Sequence, residues 1–196
     1  MSETGRTAQR AQFLAQLDGM DDAAIETLDA SLSAEAETES RIRRAFLKLR
    51  RDDTRGAQEL LDSSGVADDD PFAAMARASL AAAHGRFEDA LTFAGYAVEL
   101  PYMRADALLV RAVALSNLGR FQELAGTPDD DSLEDSARGS LLAIKAFALQ
   151  SLGDGARARE LLLQARRFLP DLVGFSEQLT ALRESSLGGA PRCVRL

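Results

Sequence analysis

Apolar and polar positions along this chain recur with the period of a helix, not with the alternation of a strand. In residues 87–100, Ala90, Ala94 and Ala97 fall at three- and four-residue spacing, and Ala158, Leu162 and Ala165 do the same in residues 156–169. Pro101 and Pro170 follow these runs, where a residue that cannot continue a helix marks its end. Earlier, Ile42, Ala45, Phe46 and Leu49 form another coherent stripe, although Arg41 and Lys48 stand where later segments carry apolar residues. A last amphipathic run over 172–184 carries Phe175, Leu179 and Leu182, and Gly188-Gly189 ends the pattern.

The helical runs are copies of one another. Residues 111–120 read RAVALSNLGR and residues 145–154 read KAFALQSLGD, the same pattern displaced by 34 positions. Residues 77–86, RASLAAAHGR, lie 34 positions before the first of these. Weaker copies are RAFLKLRRDD at 44–53 and RAQFLAQLDG at 10–19. Each opens on a basic residue and alanine, runs on as a helix, and ends in Gly or Asp where a helix should stop. A second helix follows each stop, so the repeating unit is helix, turn, helix. In the fourth copy Gly126, Thr127, Pro128 and three aspartates interrupt that second helix; it should stop near Ala125, leave 127–131 as a loop, and restart near Ser132.

Composition adds to this picture without changing it. Abundant Ala, Leu, Arg and Glu, with no Trp, suits an all-α fold. A net charge of −8 opposes phosphate binding, so nucleic acid is not an expected partner. With no apolar run long enough for a membrane span or a signal segment, no membrane association is expected and a cytoplasmic location is. Cys193 is the only cysteine and His84 the only histidine, and no catalytic or phosphate-binding motif is present. Neither enzymatic activity nor a metal or cofactor is therefore expected. The acidic runs at 68–70 and 129–131 lack the spaced ligands of a calcium loop and are expected to cap the helices that follow.

A 34-residue helical hairpin with small residues at its crossings, a Gly-containing turn and a closing proline resembles the tetratricopeptide repeat. The resemblance implies an all-α array of stacked antiparallel hairpins wound into a right-handed superhelix. It covers a single domain over 1–186 of about five repeats, the first two and the fourth degenerate, with 172–184 as a capping helix and 187–196 as a tail. In that family the first helices line a concave face. By alignment this places Ile42, Phe46, Phe72, Met75, Leu109, Val113 and Phe147 toward a partner, with Ser116, Asn117 and Gln150 as polar contacts. Carboxylate-clamping members use Lys and Asn on this face, and here only Asn117 corresponds.

The expected function is that of an adaptor whose groove takes an apolar or amphipathic segment of another protein, a role that secretion or assembly chaperones of this family also fill. The alternative is a homo-oligomeric scaffold whose groove is filled by a second copy. The basic residue that opens each copy, Arg10, Arg44, Arg77, Arg111 and Lys145, has two readings. It forms a ladder for an acidic ligand, or its stem packs between helices while its head reaches a carbonyl or carboxylate. The second is favoured, since the position adjoins the packed alanine.

Overall fold

The computed structural model describes residues 3–35, 37–63, 65–67 and 70–170, and within them the protein is all-helical. The helices are α1 (Glu3–Leu17), α2 (Asp22–Ser33), α3 (Thr38–Arg50), α4 (Thr54–Leu61), α5 (Pro71–Ala83) and α6 (Phe87–Ala97). A short 3-10 turn, Pro101–Met103, leads into α7 (Arg104–Asn117), α8 (Phe121–Ala125), α9 (Asp135–Ser151) and α10 (Gly155–Phe168). No strand occurs among the described residues. The expected capping helix at 172–184 and the tail at 187–196 lie outside them.

Four of the helix-to-helix turns are built alike. Asp52, Gly85, Gly119 and Gly153 each take a left-handed conformation, with φ of 61°, 71°, 69° and 84°. The next residue is the helix N-cap and has nearly the same backbone each time, φ from −88° to −80° and ψ from 52° to 69°. Its N–H reaches back across the turn to a carbonyl of the first helix: Asp53 to Lys48, Arg86 to Ala81, Arg120 to Leu115 and Asp154 to Leu149, at 2.8–2.9 Å. This is the six-to-one bond that ends a helix through a left-handed residue. The chain then reverses at once, and α3 packs on α4, α5 on α6, and α9 on α10.

Because the turn is constant, the same positions meet at every crossing. Ala45, Ala78, Ala112 and Ala146 precede their left-handed residue by the same interval and are at most 3% exposed. Across the hairpin, Ala57, Ala90, Leu124 and Ala158 follow it by a constant interval and are equally closed off. Alanine at both positions lets the helix backbones approach at the turns of Asp52, Gly85 and Gly153, while the hairpin of Gly119 carries the larger Leu124 on its second helix. α8 is the short one: it ends at Ala125, as Gly126 and Pro128 require, while α9 begins at Asp135, three residues later than expected. In α3, Ile42, Ala45 and Phe46 are buried as the stripe predicts, but Leu47 fills the core where Leu49 is only partly covered.

Contacts divide the chain into two compact units, Met1–Ala107 and Leu108–Leu196, the division falling inside α7. The core of the first includes Phe13, Ile25, Ile42, Leu47, Leu61, Phe72 and Leu80. In the second, Ala146, Leu149, Ala158 and Leu162 form a cluster against which Ala125, Ala143 and Leu161 pack. Gly139 lets α9 approach the end of α10, since a Cβ there would lie 2.7 Å from Leu169 Cγ.

The turn geometry makes opposite demands on two residues. Gly119 has open space around its missing Cβ, so Gly119→Ala carries only the left-handed backbone cost, about 1–2 kcal/mol. Asp52 already bears that cost, and Asp52→Gly relieves it, less the added flexibility of the unfolded chain. Urea titration should therefore show Gly119→Ala destabilised and Asp52→Gly equal to or more stable than the parent. A drop in stability for Asp52→Gly comparable to that of Gly119→Ala would contradict this account.

Candidate functional site

The inner face of the first unit is assembled around one side chain of α1. Arg10, Phe13 and Leu17 fall at helical spacing on a single face, and all three are buried. The Arg10 guanidinium donates to Glu39 of α3, from Nε at 3.1 Å and Nη2 at 2.8 Å, and from Nη2 to Asp70 at 2.8 Å. Its carbon lies 4.7 Å from the centroid of the Phe72 ring, within range of a cation–π attraction. One turn on, Phe13 meets Phe46 and Phe72 edge to face at 6.4 Å each, and those two rings lie 4.9 Å apart. Arg43 covers the outer side of Phe13 at 5.5 Å and pairs with Glu39 at 3.4 Å.

Asp70 has two tasks. It is the N-cap of α5, accepting from the N–H groups of Phe72 and Ala73 at 2.9 and 3.1 Å, and Pro71 at the first helical position loses no bond. Its other oxygen holds Arg10. Burial alone would raise the Asp70 carboxyl, but Arg10 and the two backbone donors outweigh it and keep it below the ordinary carboxylate value. Burial likewise opposes the charge on Arg10, and Glu39 and Asp70 outweigh it, raising the guanidinium above its ordinary value. The nearby Tyr102 phenol is raised by burial, against the pull of Arg10.

The residues expected to face a partner are therefore not equally available. Ile42, Phe46, Phe72 and Met75 are between 0 and 9% exposed. Their apolar surface serves packing within the first unit, so the open face expected there is closed, with α1 contributing Phe13 and Arg10 to its cover. The second unit differs. Val113 is 39% exposed on α7, Leu109 and Ser116 are partly covered, and Asn117 is exposed with its amide donating to the Val113 carbonyl at 2.8 Å. Phe147 and Gln150 of α9 are partly covered, and the Phe147 ring meets Phe121 edge to face at 6.0 Å. Phe46, Val113 and Phe147 occupy the same register position, each six residues before a left-handed turn residue. Phe46 is covered and Val113 is not.

The recurring basic residues reach carbonyls and carboxylates close to their own helices. Arg44 binds Asp29 of α2 at 2.7 Å. Arg77 donates to the carbonyls of Leu61, at the end of α4, and of Val66 and Ala67 in the segment leading into α5. Buried Lys145 donates to the Thr127 carbonyl at 2.8 Å and to Asp129 at 2.6 Å. Together with Arg10, these heads tie first helices to the chain around them, which leaves the ladder reading without support at these four positions. Asp129 corrects a second expectation. The run at 129–131 does not cap α9, whose N-cap is Glu134 without a side-chain bond; Asp129 pairs with Lys145 and Asp131 with Arg138. Among the described aspartates of the two runs, Asp70, which precedes Pro71, acts as the expected cap.

Two open clefts indent the first unit. One, of about 490 Å³, is walled by Arg44, Lys48, Arg55 and Glu59, so its charges are mixed and largely paired. The other, about 300 Å³, runs beside α1 between Gln9, Gln12, Gln16 and the apolar Leu28 and Leu32 of α2. Among the described residues no three His, Cys, Asp or Glu side chains are grouped to hold a metal ion, and no helix is long and apolar enough to cross a membrane. Comparison with protein-family models, with curated proteins and with solved structures gave no match.

A carboxyl held below its ordinary value stabilises the fold above that value and ceases to do so as it is protonated. Asp70 should thus contribute its full share above about pH 4 and lose it as pH falls through the depressed native value. Asp70→Asn is expected to cost about 2 kcal/mol at neutral pH and to flatten the loss of stability below pH 4. Urea midpoints measured across that range check this; parallel profiles for the two proteins would contradict it.

Proposed function

We propose that this protein is a tetratricopeptide-type helical-repeat module that binds an apolar or amphipathic segment of another protein and performs no chemistry itself. The reading is supported by one turn conformation recurring at intervals of 33, 34 and 34 residues with a buried alanine on the first helix each time, a regularity that fits stacked helical hairpins. The observation that carries the binding role is the exposure of Val113. It occupies the register position at which Phe46 is covered, and 39% of its surface remains in water beside polar Asn117. A segment laid there gains apolar burial and a polar rim, the composition of a specific contact. Phe147 contributes its free ring surface while its edge contact with Phe121 holds it in place.

Val113→Asp introduces a charge without removing a core side chain and should leave the urea midpoint nearly unchanged. Capture of the partner from the source cells should fall at least tenfold, since one desolvated apolar anchor contributes about 1.5–3 kcal/mol. Leu163→Asp, a change at a somewhat more exposed apolar position on α10, serves as the control and should capture normally. Equal capture by both variants would move the binding surface away from α7.

A further inference from the structure

The inner face of the first unit is closed by a helix that is itself shaped like a ligand. α1 is attached to it by Arg10 and Phe13, with Leu17 buried on the same side, while Arg6, Gln9, Gln12 and Gln16 are exposed. What receives it comes from far along the chain: the carboxylates of Glu39 and Asp70 take the guanidinium, and the rings of Phe46 and Phe72 take the phenyl group. These receiving groups are organised without α1. Asp70 is fixed as the cap of α5, Phe72 follows it in the first helical turn, and Phe46 stands on α3. The open cleft along the glutamine side of α1 shows that its contact with α2 is incomplete.

The turn after α1 also departs from the others. It closes through Gly19 to Gln16 and Met20 to Leu17 at 3.2 Å, and Gly19 does not take the left-handed conformation found at the four later turns. The first hairpin therefore lacks the closure that fixes the rest.

We propose that α1 is a displaceable self-ligand, resting on an α3/α5 docking face that accepts a partner's amphipathic helix carrying a basic residue three positions before an aromatic one. The resting contact displays the recognition chemistry: two carboxylates read a guanidinium, and two rings read an aromatic side chain one helical turn away. A partner helix reaches the face when α1 swings out, so α1 sets a threshold for binding. This deepens the protein-binding reading but uses a surface other than the one around Val113, so the two stand or fall separately.

The test uses the full chain. Hydrogen exchange of the unaltered protein should show α1 amides exchanging at least a hundredfold faster than those of α5, whereas exchange of α1 in step with α3 and α5 would place it in the cooperative core and overturn the proposal. A fluorescein-labelled peptide of residues 3–17 is the probe for docking. The full chain carrying Arg10→Gln and Phe13→Ala, which weakens its own α1, should bind that peptide at least tenfold more tightly than the unaltered chain does. The same peptide with both substitutions should not bind. Absence of binding by the folded variant would overturn the proposal. Loss of helical circular dichroism in the variant would do so too, because α1 would then be a support that the whole fold requires. A dimer of the unaltered chain formed by exchange of α1 would assign the face to copies of this protein and overturn the partner reading.

Discussion

Reversal of the chain within two residues is the constraint on which the rest of the structure depends. A left-handed residue ends the first helix at Asp52, Gly85, Gly119 and Gly153, and the following N-cap residue returns a bond across the turn. Once that closure is fixed, the helix phases are fixed, and with them the residues that meet. The alanines at 45, 78, 112 and 146 are buried because the turn puts them at the crossing, and they are small because the backbones pass closely there. A larger side chain at such a crossing would have to separate the helices or leave its favoured rotamer.

A second constraint is charge. Helices α3, α5, α7 and α9 each carry a basic residue immediately before the crossing alanine, and burial of the stem obliges the head to find an acceptor. Lys145 finds the Thr127 carbonyl and Asp129, Arg77 finds three carbonyls, and Arg44 finds Asp29. Arg10 is answered by two carboxylates and lies over an aromatic ring, which draws α1 onto the inner face of α3 and α5. The same interaction that settles α1 thereby covers apolar surface that the repeat pattern alone leaves open. In the second unit the corresponding surface at Val113 stays in water.

What was legible in the amino-acid sequence is what repeats or what is local. The helical class, the turn positions, the buried alanines and the early end of α8 at Ala125 all follow from spacing, small residues, Gly and Pro. The stem-and-head role of Arg44, Arg77 and Lys145 could be read because the alanine beside each one marks a crossing. The cover over Phe46 and Phe72 could not be read: it depends on Arg10 meeting Asp70 sixty positions away, and no local pattern encodes that pairing. The acidic run at 129–131 misled for a related reason. A carboxylate before a helix suits a cap and an ion pair equally, and here the shortened α8 brings Asp129 to Lys145 before it can cap anything. The pairing would have been visible only by treating Lys145 as a charge in need of a partner.

The central proposal is that the apolar surface exposed on α7 at Val113 receives a segment of another protein. Incorporating the photoreactive residue p-benzoylphenylalanine at position 113 in the source cells, with position 163 as the reference, tests this most directly. The account predicts a covalent adduct with one distinct protein from position 113 and none from position 163. Adducts that are absent from position 113, or identical from the two positions, would contradict it.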